Sequence, residues 1–147
     1  MKIKFKIATP ERVVYEDEVD QVTLPTKMGE ITVLPNHLPL VSSLAPGEIL
    51  IKKAAQVVPL AVSGGFIEFA ENKLVVLADT AERVEEIDEE RAEAARERVK
   101  DILEKKEAAE QVDFTALAAK MEKELARLKV ARKYKDIRRR PQIKIEE

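Results

Sequence analysis

The sequence predicts an α+β protein, in which an amino-terminal antiparallel β-sandwich is followed by a carboxyl-terminal antiparallel two-helix hairpin. Through about residue 81, short β-branched apolar runs alternate with turn residues at intervals of about 8 to 12 residues, which favours a sandwich or barrel over βαβ units. From Asp88 onward, apolar residues recur every three or four positions, which is the period of an amphipathic helix. This helical pattern breaks once, near residues 111–114, so we expect two helices joined by a short connection.

The first strand is predicted by strict alternation. Ile3, Phe5 and Ile7 fall on one face of residues 2–7, and lysines fall on the other. Lysines on the outer face would also discourage pairing with another chain. Further strands are predicted at 13–15, 19–24 and 31–34, with turns at 9–10, 16–17 and 27–29.

Proline and glycine residues interrupt or separate the predicted strands in the middle of the chain. Residues 34–40 contain two prolines, which lack the N–H that a sheet needs, so we expect an ordered crossing loop there. Pro59 predicts an edge or a bulge within a strand at 57–62. Ser63 is expected in a turn, and the two glycines after it permit positive φ or close backbone approach. The remaining strands are predicted at 48–51, 66–69 and 74–77.

Asp88 is expected to cap the first helix, because its side-chain oxygen can accept from the backbone N–H groups of the next turn. The glutamates that follow it favour the positive end of the helix dipole. The apolar stripe of this helix is thin and begins with alanine. Its members are Ala92, Ala95, Val99, Ile102 and Leu103.

Asp113 is expected to cap the second helix, whose seam is predicted at Leu117, Met121, Leu125 and Leu128. Neither thin stripe would fold alone, so the hairpin must pack on itself, on the sandwich or on a partner, with marginal stability. Pro141 ends the second helix after three arginines at 138–140. The predicted division is a sandwich at 1–86, a helical hairpin at 87–140 and a frayed tail at 141–147.

Composition allows one modest core and argues against several kinds of protein. The 147 residues are 45% apolar but only 4% aromatic, and the formal net charge is -2. The absence of cysteine excludes disulfides, thiolate nucleophiles and Cys-ligated zinc. No apolar run approaches the roughly 20 residues needed to span a bilayer. The amino terminus does not resemble a signal peptide, so we expect a soluble, intracellular protein.

No catalytic motif is present. His37 is the only histidine, so a metal site is not expected, and this imidazole is interpreted as a loop residue that bonds locally or touches a partner. Ser63 lacks the upstream glycine of a nucleophile elbow. The sequence contains neither a P-loop nor a dinucleotide-binding glycine motif. The chain is therefore not expected to catalyse a reaction by itself.

One group of residues permits ligand binding. Arg91 and Arg98 are seven residues apart, so they project from nearly the same side of a helix, and Ala92 leaves room for a flat ring between turns. Paired guanidinium groups suit phosphates, and the Asp88 carboxylate suits an amide or hydroxyl donor. In the alternative interpretation, Asp88 is only a cap and the arginines form solvated pairs with residues such as Glu93 and Glu97.

The carboxyl-terminal region is basic. Residues 127–140 hold eight bases and one acid, whereas residues 79–110 hold thirteen acids and seven bases. A basic helix permits nucleic-acid binding or an unrelated adaptor role. Only Tyr134 could serve as a stacking platform, however, and no reading helix is recognisable.

Taken together, four segments resemble the epsilon-subunit family of F-type ATP synthases, whose mitochondrial counterpart is called delta. The segments are LPTKMGEITVLPNHLPLVSSLAPGEI at 24–49, AVSGGFIEF at 61–69, LADTAERVEEIDEERAEAA at 77–95 and the VDF that opens the second helix. Each is weak alone, but their order over about 130 residues is specific. The resemblance implies a sandwich of about ten strands in a non-catalytic central-stalk subunit, peripheral to the membrane on its cytoplasmic face.

The resemblance also implies partners. The sandwich would bind the gamma subunit and sit on the ring of c subunits, coupling rotation of the ring to the catalytic head. Glu30 would meet polar loops of the c subunits, and His37 is better interpreted as a rotor-interface residue. The c-ring or gamma interface carried over by position is Met28, Gly29, Glu30, Ile31, Pro35, Asn36, His37 and Leu38, within a stretch that extends to Leu40.

In this family the hairpin acts as a brake. Folded on the sandwich it permits rotation, and extended along gamma towards the alpha and beta catalytic subunits it inhibits ATP hydrolysis. No cofactor is required, although some bacterial members bind ATP as a regulatory ligand in the folded form. This chain has Lys123 where such members have an arginine, and its helical connection is about two residues longer. The implied ATP-binding residues are Glu82, Ile87, Asp88, Arg91, Ala92, Arg98, Lys123 and Arg127.

Overall fold

The structure, a computed structural model, describes residues 1–104 and 114–135. Among them, no helix is long and apolar enough to cross a membrane. The strands are β1 (Ile3–Ala8), β2 (Val13–Val19), β3 (Gln21–Thr26), β4 (Gly29–Val33), β5 (Leu40–Lys53), β6 (Gln56–Ala70), β7 (Lys73–Ala78) and β8 (Ala81–Arg83). A single 3-10 turn (Val84–Glu86) leads into the helices α1 (Glu89–Glu104) and α2 (Phe114–Lys133).

The strands run in the order β2-β1-β7-β6-β5-β3-β4, and β8 pairs with β6. The long strands β5 and β6 pair along almost their whole length and link two groups of shorter strands. β7 flanks one half of β6, and β8 flanks the other half. Inward-facing side chains from both groups, such as Phe5, Leu24, Ile49 and Phe69, meet in one apolar core. The predicted sandwich is therefore confirmed, with one parallel pair, β1 with β7, among antiparallel neighbours.

The sandwich has eight strands in the described residues, fewer than the ten implied by the resemblance. The runs at 57–62 and 66–69 form one continuous strand, β6, so the turn predicted at Ser63 is wrong. Gly65 explains why β6 continues there. It has φ +133°, and a Cβ atom on it would lie 2.0 Å from the Leu77 carbonyl oxygen. Only glycine permits this close approach of β6 to β7.

Two other local predictions are wrong. The turn predicted at Glu16 and Asp17 lies inside β2, where Glu16 forms an ion pair with Lys6 of the neighbouring strand β1 and Asp17 forms one with Lys53 at the end of β5. The strand predicted at 19–24 is divided at Asp20, where the chain passes from β2 to β3. In the first case the antiparallel ladder with β1 continues through both residues, pairing Lys6 with Glu16 and Phe5 with Asp17.

Residues 34–39 form the predicted crossing loop between β4 and β5, and this loop is tied to the β6–β7 turn. Asn36 and Asn72 both have positive φ, which asparagine tolerates better than most residues. The Asn36 backbone N–H donates to Asn72 Oδ1 at 2.6 Å, and Asn72 Nδ2 donates to Asn36 Oδ1 at 3.1 Å. The loop therefore has a defined conformation.

The helices form the predicted antiparallel hairpin. Asp88 Oδ1 accepts the Arg91 backbone N–H at 3.1 Å, which confirms the predicted N-cap. The ion pairs between the helices show that they are antiparallel, because the earlier acid in α1 meets the later base of the second helix. Glu89 pairs with Lys135, and Glu93 pairs with Arg132. The expected cap at Asp113, the arginines at 138–140, Pro141 and the Leu103 side chain lie outside the described residues.

The prediction of the apolar seams is wrong for two residues. Ile102 and Leu125 are 45% and 43% exposed, whereas Ala92 and Leu128 are buried. α2 also buries residues outside its predicted seam, because the helix packs against both α1 and the sandwich. A small apolar cluster forms the contact between α2 and the sandwich. We call it the docking cluster, and it comprises Ala61, Val84, Ile87, Val130, Ala131 and the ring of Tyr134.

Candidate functional site

A pocket of about 420 Å³ lies where β8, the 3-10 turn and both helices meet. Its volume falls within the range of small-molecule sites, roughly 300 to 1,000 Å³. Three arginines and three carboxylates supply most of its lining. The lining residues are Glu82, Glu86, Asp88, Arg91, Ala95, Arg98 and Arg127.

Five of the eight residues predicted to bind nucleotide line this pocket. They come from three separate parts of the chain: Glu82 from β8, the group Asp88, Arg91 and Arg98 from α1 and its N-cap, and Arg127 from α2. The seven-residue spacing of the two α1 arginines places both beside the pocket, as their helical period predicts. The contribution of α2 depends on how the hairpin docks.

The other three predicted residues do not line the pocket. Ile87 belongs to the docking cluster, and Ala92 is fully buried. Lys123 lines a neighbouring pocket of about 230 Å³ together with Thr9 and Arg12, and that pocket shares Glu82 with the first. Lys123 is one helical turn before Arg127, and this offset is enough to place it in the neighbouring pocket instead of the first.

Arg127 is the link between α2 and the sandwich in this pocket. Its Nε donates to Glu82 Oε2 at 2.6 Å, and its Nη1 donates to Glu124 Oε2 at 2.7 Å. Burial tends to lower the pKa of Arg127, but hydrogen bonds and charges from Glu82 and Glu124 outweigh it and raise the pKa. Glu124 is buried and was not predicted as a site residue. Its spacing of three residues from Arg127 is the only sequence feature that could have indicated it.

Arg91 and Arg98 are differently placed. Within residues 1–104 and 114–135, neither guanidinium has a carboxylate at ion-pair distance. Glu93, which the alternative interpretation paired with them, instead contacts Arg96 and Arg132. That alternative is therefore wrong for Glu93. Both guanidinium groups therefore line the pocket without a direct ion pair in the described chain, although the carboxylates of Glu82, Glu86 and Asp88 line the same pocket.

Glu86 also lines the pocket and was not predicted. Its Oε2 accepts from Arg12 Nη2 and from the Arg83 backbone N–H, each at 3.0 Å. Burial would raise the pKa of Glu86, but these two hydrogen bonds and the charges of Arg12 and Arg83 lower it overall. Glu86 is thus kept ionised by groups outside the pocket. Sequence reasoning missed it because Arg12 lies 74 residues away.

This arrangement suits an anion that also carries hydroxyl or amino donors. Guanidinium groups bind phosphate oxygens in a forked geometry, and carboxylates accept from hydroxyl or amino groups. Across the described part of the chain, no three potential ligands come together as a metal site. His37 bonds locally: its Nδ1–H donates to the Leu38 carbonyl oxygen at 2.6 Å, and its ring forms a T-shaped contact with the ring of Phe69.

The residues predicted to contact other subunits lie on both sides of β4. Met28 is fully exposed in the β3–β4 turn, beside Gly29 and Glu30 at the start of β4. Ile31 is only partly exposed and packs against the core. Beyond the other end of β4, the crossing loop carries the remaining predicted residues, Pro35, Asn36, His37 and Leu38. At about 3.3 Å per residue, the two ends of β4 lie about 13 Å apart along the strand, so the two groups flank opposite ends of it.

A second exposed surface was not predicted. Phe66 of β6 pairs with Leu77 of β7, which pairs in turn with Ala8 of β1, and Ala8 pairs with Val13 of β2. Paired residues point to the same side of a sheet, so these side chains form one row across four strands. Phe66, Leu77 and Val13 are 66%, 59% and 48% exposed. We call this the outer apolar row; adjacent exposed apolar residues of this kind mark interaction surfaces.

Comparisons with known proteins agree with this architecture. Residues 2–84 match the family model described as ATP synthase, Delta/Epsilon chain, beta-sandwich domain. The chain is similar to the ATP synthase epsilon chain of Chloroflexus aggregans, with 44% identity over 95% of this chain and 99% of the relative. The corresponding chain of Geobacter sulfurreducens is 42% identical over 90% of this chain and 95% of the relative.

Two solved structures have a similar fold. A chain in the cryo-EM structure of the Euglena gracilis mitochondrial ATP synthase, OSCP/F1/c-ring, has a TM-score of 0.63 and 22% identity over 92% of this chain and 81% of its own. A chain in the central stalk/c-ring structure of the Tetrahymena thermophila mitochondrial ATP synthase has a TM-score of 0.55 and 15% identity, covering 90% and 96% respectively. At these identities the likeness concerns the fold alone.

Proposed function

Because this chain belongs to the ATP synthase delta/epsilon family, as a non-catalytic epsilon subunit, we propose that its sandwich docks on the rotor and its hairpin regulates ATP hydrolysis in response to ATP. One observation carries the regulatory part of the proposal. Arg91, Arg98 and Arg127, from both helices, converge on one pocket beside Glu82 of the sandwich. A ligand in that pocket would touch both helices and the adjoining edge of the sandwich at β8, which must separate when the hairpin opens.

Nucleotide would act by binding the docked hairpin more tightly than the open one. Arg91 and Arg98 would bind phosphate oxygens, and Asp88 or Glu82 would accept from donors of the nucleoside. Each tenfold difference in affinity between the two states shifts their balance by about 1.4 kcal/mol. The docking cluster is small, so a shift of this size would change the population of the open state.

The sandwich offers two kinds of surface to the rest of the enzyme. The outer apolar row suits the gamma subunit, since burying exposed aromatic and aliphatic side chains favours a lasting contact. The β3–β4 turn and the crossing loop suit polar loops of the c ring, with Glu30 and His37 as polar contacts. With these contacts the chain would be peripheral to the membrane, and we propose the cytoplasmic face as its location.

The basic face of α2 suits the acidic surfaces of the alpha and beta catalytic subunits when the hairpin is extended. In the docked state much of this charge is already paired: Arg127 contacts Glu82 and Glu124, Arg132 contacts Glu93, and Lys133 contacts Glu48. This pairing argues against a permanently exposed nucleic-acid surface, the alternative that the basic helix permitted.

Calorimetric titration of the full chain with ATP and Mg²⁺ tests nucleotide binding. We expect saturable heat, and we expect Arg98→Gln to weaken binding by at least tenfold. Arg96→Gln is the matched control, because Arg96 is on the same helix but contacts Glu93 and does not line the pocket. No heat with the unsubstituted chain, or equal losses in both variants, would contradict the proposal.

The brake is tested separately in the assembled enzyme. Removing residues 129–147 deletes the end of α2 and the basic segment beyond it, so we expect ATP hydrolysis to rise. The assembled complex should retain gamma and the c ring, because the sandwich is intact. Hydrolysis equal to that of the complete enzyme would show that the hairpin does not restrain this synthase.

A further inference from the structure

The last turn of α2 has its own attachment to the sandwich, apart from the pocket. Glu48 of β5 accepts from Lys133 Nζ at 3.1 and 3.2 Å through its two oxygens. The Tyr134 hydroxyl donates to Glu48 Oε1 at 2.7 Å. The Glu48 side chain is only 17% exposed, so these partners replace most of its hydration. Breaking such contacts costs more than breaking an exposed surface pair.

Polar and apolar contacts meet at this point. Glu48 pairs in register with Ala61 of β6, so the two side chains leave the same face of the sheet. Ala61 belongs to the docking cluster, as does the ring of Tyr134. Tyr134 therefore covers apolar surface with its ring while its hydroxyl reaches Glu48. The two contacts hold the same helical turn.

The attachment is spatially separate from the pocket. Glu48, Lys133 and Tyr134 are absent from the pocket lining, whereas Arg127 is part of it. Tyr134 follows Arg127 by seven residues, which places the two on nearly the same side of α2, about 10 Å apart along its axis. α2 is thus attached to the sandwich at two points, and only one of them would be changed by a ligand in the pocket.

We propose that Glu48, Lys133 and Tyr134 form a nucleotide-independent latch that keeps the hairpin docked when the pocket is empty. The latch determines what fraction of the molecules has a docked hairpin before any ligand binds. The consequence for ATP hydrolysis rests on the proposed function, but the existence of the latch does not. Weakening the latch would increase the open fraction, and filling the pocket would partly restore docking.

Opening can be measured in the full chain by cysteine labelling, because the sequence has no cysteine. Ala61→Cys introduces a thiol that α2 covers, so a thiol reagent reaches it only after undocking. Ala78→Cys introduces a thiol in the sandwich core, which is reached only when the sandwich itself opens. Labelling is performed without nucleotide, at reagent concentrations where its rate is proportional to the open fraction.

Three substitutions test the latch. Glu48→Gln removes the charge but keeps the shape, and we expect it to label Ala61→Cys about tenfold faster. Tyr134→Phe keeps the ring and loses only the hydroxyl, so a smaller acceleration is expected. Glu16→Gln is the control, because Glu16 pairs with Lys6 within the sandwich, and its labelling rate should not change. Labelling of Ala78→Cys should be the same in all variants.

The outcomes separate the latch from the brake. If Glu48→Gln labels Ala61→Cys within twofold of the unsubstituted rate, or accelerates both thiols equally, the latch is refuted. If only the Ala61→Cys rate rises, the latch stands. In the assembled enzyme, at ATP concentrations too low to fill the pocket, Glu48→Gln should then slow ATP hydrolysis by favouring the extended state. Unchanged hydrolysis alongside faster labelling would refute the proposed brake and leave the latch supported.

Discussion

Arg127 Nε lies 2.6 Å from Glu82 Oε2, which joins the helical hairpin to the sandwich across 45 residues of sequence. The same guanidinium contacts Glu124, so one arginine compensates two partly or fully buried carboxylates. Removing this cation would leave both acids without their partner. The pair therefore stabilises docking even when no ligand occupies the pocket.

Substitution of Arg127 should lower the stability of the folded chain more than substitution of either acid alone. We expect Arg127→Met to lower the free energy of unfolding by about 2 to 3 kcal/mol, because it leaves Glu124 buried and unpaired. Glu82→Gln retains an acceptor and should cost about 1 kcal/mol. Urea unfolding of the full chain measures both values. If Arg127→Met cost no more than Glu82→Gln, the ion pairs would contribute little to docking.

Ile87 should contribute to docking in a way that Ile102 does not. Ile87 is 3% exposed within the docking cluster, whereas Ile102 is 45% exposed on α1. Ile87→Ala should therefore destabilise the chain by about 2 to 4 kcal/mol through lost burial and a cavity. Ile102→Ala should change stability by less than about 0.5 kcal/mol. Thermal unfolding by circular dichroism distinguishes them, and equal shifts would argue against this placement of α1.

Gly65 and Gly29 provide a matched pair in the sandwich. Both have positive φ, but a Cβ at Gly65 would strike the Leu77 carbonyl oxygen, while no atom lies within 4 Å of a Cβ at Gly29. Gly29→Ala should cost about 1 to 2 kcal/mol from backbone strain alone. Gly65→Ala should cost more than about 3 kcal/mol or prevent folding, because backbone atoms must move. Similar unfolding midpoints for the two variants would contradict the β6–β7 register.

The Arg12–Glu86 contact predicts a pH dependence with a definite sign. The pKa of Glu86 is held below its ordinary value of 4.5, so the contact stabilises the fold above about pH 4.5 and this contribution is lost as pH falls through the lowered pKa. Arg12→Gln should raise the pKa of Glu86 and reduce stability at neutral pH more than at acid pH. An NMR titration of the Glu86 carboxyl measures the first effect, and a downward pKa shift would refute it.

Local signals were interpreted correctly where the determining contact is itself local. Asp88 was predicted as a helix cap because the hydrogen bond to the Arg91 backbone N–H closes within one turn. The glycines after Ser63 were predicted to permit close backbone approach, and Gly65 provides it. Glu16 and Asp17 were predicted as a turn, but they pair with β1 as part of a continuous ladder, and no local pattern reveals which strands become neighbours.

The sequence by itself determined the class of fold, the start of α1 and the shared side of Arg91 and Arg98, because each depends on periodicity or on contacts within a few residues. Only the tertiary structure decided that Arg127 completes the pocket while Lys123 lies beside it, and that Glu86 and Glu48 have roles at all. Those outcomes depend on how α2 rests on the sheet. That packing is set by Val130, Ala131 and the residues they cover, all distant in sequence from the strands they meet.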